Sequence, residues 1–215
     1  MKILITGFDP FGGADINPAY EAVKLLPDTI LGATIIKKEI PTVFKKDGIV
    51  LEEAMQEYKP DVVVCVGQAG GRSQITVEKV AINLIEARIP DNEGQQPLGE
   101  QIHEDGDTAY FVTLPVKAMV AHILENDIPA SVSYTAGTYV CNDVLYRLLY
   151  LEKTKYPEMK GGFIHVPYLP EQAVSLPAGT PTMSVEMISQ GLLHAVEAIV
   201  ENDEEVHHVK MGTIM

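Results

Sequence analysis

Residues 61–67 read DVVVCVG, an unbroken apolar run between an aspartate and a glycine. A strand with one wet face alternates polar and apolar residues; this one does not alternate. A short valine-rich run of this kind fits a strand buried on both faces, as in a largely parallel sheet covered by helices on each side. Upstream, KILITGF (2–8) and ATIIKKEI (33–40) read as two further strands. The loop DPFGGADIN (9–17) follows the first, and Asn17 is placed to cap a helix that opens on Pro18. Thr42 is expected to cap an amphipathic helix through FKKDGIVLEEAMQEY (44–58). Downstream, ITVEKVAINLIEARI (75–89) holds strand-like segments and precedes a long polar loop, PDNEGQQPLGEQIHEDGD (90–107). VKAMVAHILEN (116–126), CNDVLYRLLYLEKTKY (141–156) and SVEMISQGLLHAVEAIVEN (184–202) have helical periodicity. ASVSYTAG (130–137) and GGFIHVPY (161–168) are the remaining strands. Strand and helix alternate throughout, without repeats or a composition break. The expectation is one α/β domain over residues 1–215, a largely parallel sheet sandwiched by helices.

The 215 residues carry 30 Asp+Glu against 16 Lys+Arg, a formal charge of −14. That balance speaks against nucleic acid or an anionic membrane as partner, since both demand a basic surface. The opening MKILITGFDPFGG is broken too soon for a signal peptide, and no apolar run reaches the length of a membrane span. Cys65 and Cys141 are the only cysteines, which favours a reducing cytoplasm over a disulfide framework.

Cys141 follows a β-type run expected to end near Ala136, a turn at Gly137, and the first residues of a helical stripe. A thiol in the first helical turn faces the positive end of the macrodipole, which favours thiolate, and free N–H groups there can hold an oxyanion. A buried structural cysteine is the competing reading. Cys65, flanked by valines, reads as a core thiol. A cysteine nucleophile needs a base and the base an orienting acceptor. His165 interrupts FIHVP at the end of an apolar strand and would emerge at the same sheet edge as Cys141. Glu78 lies within the β-type run ITVEKVAIN, where a partly buried carboxylate calls for a partner. Lys79 is adjacent but points to the opposite strand face, so a histidine N–H is the candidate. A solvated edge-strand acid is the alternative. His103, in IHEDGD, has acidic neighbours but no second ligand cluster for a metal; His122 and His194 fall on helix faces, and His207 and His208 in the polar tail.

Three separated stretches then agree. GQAGGRSQITVEKVAIN (67–83), SYTAGTYVCN (133–142) and FIHVP (163–167), with the opening LITGFDPFGG…NP, resemble the bacterial pyroglutamyl peptidases, also called pyrrolidone-carboxylate peptidases. The likeness runs from Leu4 to the final helix. It implies a thiol peptidase that removes an N-terminal pyroglutamyl (5-oxoprolyl) residue from peptides, with Glu78, Cys141 and His165 as the triad. It also implies an open α/β/α sandwich with a mixed, largely parallel sheet, a homotetramer and no metal or organic cofactor. In that reading His165 takes the Cys141 proton, the thiolate attacks the pyroglutamyl carbonyl, and water later hydrolyses the thioester. Arg88, in EARIPDN, resembles a family arginine near the active site, as a second oxyanion donor or a substrate-positioning group.

The pyroglutamyl ring is neutral and lacks a free α-amine, so a charged clamp would serve no purpose. Phe8 and Phe11, expected on the loop after the first strand, could sandwich the flat ring. Backbone groups near Gln68 could meet its lactam. An aromatic staple and a plain turn are the structural alternatives. A nucleoside phosphorylase or hydrolase is the nearest rival enzyme, but GQAGGR is neither G-x-G-x-x-G nor a P-loop.

Overall fold

The computed structural model describes residues 1–201; His207 and His208 lie outside the described residues. In chain order the elements are β1 (Lys2–Phe8), α1 (Pro18–Leu25), β2 (Thr29–Ile30), β3 (Ala33–Ile40), α2 (Lys46–Tyr58) and β4 (Val62–Gln68). They continue with β5 (Ile75–Glu78), β6 (Val80–Ile82), β7 (Ile85–Glu86), β8 (Leu98–Glu100), β9 (Ala109–Phe111) and α3 (Val116–Glu125). The last are β10 (Ala130–Ser133), α4 (Val140–Thr154), β11 (Lys160–Val166), α5 (Pro170–Ala173) and α6 (Val185–Glu201).

The main sheet has seven strands in the order β10-β5-β11-β4-β1-β3-β2. Pairings β1–β3, β1–β4, β4–β11 and β5–β10 are parallel; β5–β11 and β2–β3 are antiparallel. The sheet is therefore mixed and largely parallel. The DVVVCVG run is β4, and Val62 through Gly67 are all buried. Its position explains its composition: β1 and β11 flank it, and helices cover both faces. Helices α1, α3 and α6 pack on one another as one layer, and α2 packs on α4 as the other. The buried apolar residues of all these elements form one contiguous cluster.

Local expectations hold where a strong signal acts alone. Asn17 caps α1, its side chain accepting from Ala19 N at 3.1 Å with Pro18 following. Thr42 does not cap α2. Residues 42–45 turn first, Lys45 adopts a positive φ of 66°, and the helix starts at Lys46 with no side-chain cap. Thr42 is drawn instead to the end of β1, its Oγ1 donating to Asp9 O at 3.1 Å and its N to Asp9 Oδ1 at 2.7 Å. The strand before Cys141 ends at Ser133 rather than near Ala136. Ser133 and Thr135 then exchange side-chain and backbone hydrogen bonds, and Gly137, at φ +80°, redirects the chain into α4. The polar stretch after β7 is not bare loop: β7–β8 and β6–β9 form two small antiparallel ribbons. Among the described residues no helix is long and apolar enough to cross a membrane.

Candidate active site

Strand register brings the candidate residues to one face of the sheet. His165 on β11 pairs with Gly67 on β4 and with Thr76 on β5. Partners in register point to the same side, and Glu78, two residues beyond Thr76, shares that side. His165 Nδ1 lies 2.8 Å from Glu78 Oε1, with His165 only 4% and Glu78 0% exposed.

Cys141 is the second residue of α4 and reaches this face from above. A Cβ built on Gly67 would stand 2.9 Å from Cys141 Sγ and 2.7 Å from Phe163 Cζ. The sulfur thus rests against bare backbone beside the strand position of His165. Neighbouring strands are about 4.8 Å apart, so thiol and imidazole occupy adjacent columns of one face. Asn142 holds the helix end in place. Its Oδ1 accepts from Ile82 N at 3.1 Å, and its Nδ2 donates to Ile82 O at 2.9 Å and Leu84 O at 3.0 Å.

The electrostatics differ from a simple helix-dipole picture. Burial, with the Glu78 and Asp47 carboxylates, pushes the Cys141 thiol well up, and Arg72 only partly opposes this. The resting sulfur is a thiol, so ionisation has to be coupled to a base. Burial lowers the His165 pKa; Glu78 pulls it up and Arg72 pushes it down, with a net lowering that leaves the ring neutral. Burial would raise Glu78, but hydrogen bonding and charge from His165, then Ser133 and Arg72, hold it below its ordinary value. Cys65, fully buried in β4, is pushed up to about 12 by desolvation, which suits a core thiol.

A cavity of about 810 Å³ adjoins this trio. Phe11, Gln68, Arg88, Ile89, Thr138 and Tyr139 are among its lining residues; Cys141 and His165 are not, but Cys141 lies two residues beyond Tyr139, and His165 pairs with Gly67 next to Gln68. The structure separates the two phenylalanines expected to act together. Phe11 lines the cavity, its ring 6.2 Å from that of Tyr139. Phe8 is the last residue of β1, not a loop residue, and is 2% exposed. It does not line the cavity: β1 is a central strand, so its end is covered, and the ring packs at 6.4 Å on Phe163. Phe163 in turn lies 4.7 Å from the His165 ring. Gln68 Oε1 accepts from Gln172 Nε2 at 2.9 Å, tying β4 to α5. Arg88 is exposed on the cavity wall.

Two residues at the site escaped sequence reasoning. Tyr139 supplies the second aromatic face, and its hydroxyl donates to Pro90 O at 3.0 Å. Arg72 NH1 donates to Glu78 Oε1 at 2.8 Å, so Glu78 has a cationic partner besides His165. Arg72 lies within the motif GQAGGR, and the only sequence signal for it is that a buried carboxylate invites a cationic partner. His103 stacks on Tyr150 with ring centroids 3.9 Å apart; among the described residues no group of three His, Cys, Asp or Glu could hold a metal ion.

Comparison with known proteins gives a concordant picture. Residues 1–202 match the family model described as pyroglutamyl peptidase. The pyrrolidone-carboxylate peptidase of Enterococcus faecalis is 58% identical over 206 residues, 96% of each chain. That of Clostridium botulinum is 59% identical over 206 residues, again 96% of each. Among solved structures, pyroglutamyl peptidase I of Bacillus amyloliquefaciens aligns with a TM-score of 0.91 at 49% identity, covering 95% of this chain and 99% of that one. Pyrrolidone carboxyl peptidase of Thermococcus litoralis aligns with a TM-score of 0.92 at 40% identity, covering 97% and 99%.

Proposed function

The chain belongs to the pyroglutamyl peptidase family, a family of peptidases, and from that premise we propose that it releases N-terminal pyroglutamate from peptides through a Cys141–His165–Glu78 triad. The observation that carries the reading is the buried 2.8 Å contact between His165 and Glu78, on the sheet face against which the Cys141 sulfur rests. In this mechanism neutral His165 accepts the Cys141 proton as sulfur attacks the pyroglutamyl carbonyl. Glu78 holds the ring by Nδ1 and stabilises the imidazolium that forms. The raised thiol pKa supports proton transfer concerted with attack over a standing thiolate. The Cys141 N–H, in the first turn of α4 and free of an intrahelical partner, is the first oxyanion donor. His165 next protonates the leaving amine, and water hydrolyses the thioester.

The pyroglutamyl ring is assigned to the end of the cavity at Phe11 and Tyr139, where two aromatic faces stand 6.2 Å apart by ring centre. Backbone groups at Gln68 are the proposed lactam partners. Phe8 supports the site from behind, through Phe163. Arg88 is assigned to positioning the peptide on the cavity wall. A cytoplasmic homotetramer acting without a cofactor, as one domain, is the accompanying proposal.

The test is hydrolysis of a pyroglutamyl chromogenic amide by wild type, Cys141→Ser, His165→Ala and Glu78→Gln. Losing the base is expected to cost about 10²–10⁴ in rate or more, and Cys141→Ala/His165→Ala is expected to be no worse than Cys141→Ala alone. Strictly additive losses would argue against one shared mechanism.

A further inference from the structure

Glu78 Oε1 receives two donors at the same distance, His165 Nδ1 and Arg72 NH1, each at 2.8 Å. Arg72 is held on three sides. The same NH1 also donates to Thr76 Oγ1, and NH2 donates to Thr135 O at 3.2 Å. The turn after β4 aims it there: Gly71 adopts φ +90° and Arg72 N donates to Ala69 O at 3.3 Å, which folds the side chain back over β5. The Arg72 side chain is 29% exposed, whereas the Glu78 side chain it meets is fully buried. One cation therefore links β5, the turn after β10 and the acid of the proposed triad.

We propose that Arg72 is a positioning residue for the proposed peptidase reaction: its guanidinium fixes the Glu78 carboxylate and balances its charge, leaving His165 unprotonated and free to accept the Cys141 proton. The inference rests on the triad reading given above. Its physical basis is charge counting in a buried space. With Arg72 present, guanidinium and carboxylate cancel and the imidazole remains neutral. With Arg72 removed, the buried carboxylate is unbalanced, and the nearest group able to restore neutrality is His165, by taking up a proton. A protonated His165 is no longer a base. Other titratable groups around this pair are Cys141 from α4, Cys65 from β4 and, through charge on the sulfur, Asp47 from α2. Each is neutral or anionic, so none can replace the guanidinium. The arginine fork matters as well as the charge, because one donor meets Thr76 and Glu78 while the other reaches Thr135.

The experiment compares wild type, Arg72→Met and Arg72→Lys in the full chain. His165 is titrated by NMR on histidine-labelled protein, its signal assigned by its loss in His165→Ala, and kcat/KM is followed against pH. In Arg72→Met the His165 midpoint and the acidic limb of kcat/KM are expected to rise together by about one pH unit or more. Below the shifted limb that is a loss of at least about tenfold. Arg72→Lys is expected to keep the midpoint near the wild-type value while lowering kcat, since it retains charge but not the fork. An unmoved midpoint in folded Arg72→Met overturns the proposal. So does a lysine variant whose midpoint rises above the wild-type value by one unit or more, a comparison that stands even if the methionine variant does not fold. The NMR midpoint needs no turnover, so a failure of the triad reading, seen as full activity in Cys141→Ser, is separable from a failure of this one.

Discussion

Replacing Gly67 with alanine tests whether the position of Cys141, the proposed nucleophile, depends on missing side-chain volume. The new Cβ would stand 2.9 Å from Cys141 Sγ, 2.7 Å from Phe163 Cζ and 3.1 Å from Phe163 Cε1. Relaxed contacts are about 3.5–4.0 Å, so roughly 1 Å has to be found. Phe163 is 0% exposed and wedged between Phe8 and His165, leaving it little room to retreat. The sulfur is the end of a short, rotatable side chain and yields first. Gly67 has no positive φ, so alanine suits its backbone. The fold is expected to lose about 1–3 kcal/mol from overpacking, less about 0.4–1 kcal/mol regained from a stiffer unfolded chain. A reacting atom displaced by about 1 Å costs on the order of 10² in rate, close to 2.7 kcal/mol of barrier. The assay is kcat and KM on a pyroglutamyl chromogenic amide, with melting temperature and circular dichroism as folding controls. KM is expected to change little, because the proposed ring-binding residues Phe11 and Tyr139 are untouched. A folded variant whose kcat stays within about threefold of wild type would refute the steric argument.

The two cysteines are expected to behave oppositely. Cys141→Ser abolishes turnover and Cys65→Ser retains most of it; equal losses in two folded variants would dismiss the assignment. Phe11→Ala is expected to lower kcat/KM for the pyroglutamyl amide while leaving Cys141 alkylation nearly unchanged. The prolyl amide, with a cationic ring nitrogen and no lactam carbonyl, is expected to be cleaved orders of magnitude more slowly than the pyroglutamyl one; parity within about tenfold would exclude an apolar lactam pocket. Glu152, on α4 beside Thr113, is raised from 4.5 to about 7, chiefly by burial. A carboxyl whose folded pKa exceeds its unfolded one favours folding at low pH, and that contribution fades as pH rises toward 7. Glu152→Gln is therefore expected to remove a fall of up to ~3 kcal/mol in wild-type stability between about pH 4.5 and 7. Urea unfolding of both proteins at pH 5 and pH 8 checks it, and parallel curves at the two pH values would disprove the shift.

Much of this architecture was legible because its signals are local. The unalternating run at 62–66 reads as a strand buried on both faces whatever its neighbours, and Asn17–Pro18 announces a helix start unaided. Cys141 stood out for the same reason, being a thiol at a helix opening. What escaped depends on partners far along the chain. Thr42 has a capping side chain, but its hydroxyl donates to the Asp9 carbonyl and its backbone N–H to the Asp9 carboxylate, contacts that span 33 residues. Phe8 looked available because a loop follows it, yet strand order places it under Phe163. Arg72 follows two glycines and has nothing nearby in sequence to announce its partner; only the fold of the turn and the depth of Glu78 bring them together. Likewise, the helix dipole suggests an acidified thiol, while the burial that opposes it belongs to the packed sheet.

Strand β11 is the last strand among the described residues, and it sits in the middle of the sheet, between β4 and β5. Until residues 160–166 emerge from the ribosome, β4 has one unsatisfied edge along its apolar length and β5 has no partner on that side. The pairing Cys65↔Phe163 closes a long loop, a topology that slows folding and leaves sticky edges exposed meanwhile. The same late strand carries His165. A nascent or truncated chain that stops short of it lacks both the central pairing and the proposed base, although Cys141 is already made. With the proposed triad, proteolytic competence is tied to completion of the sheet, and unfinished copies are expected to be inert and short-lived rather than partly active.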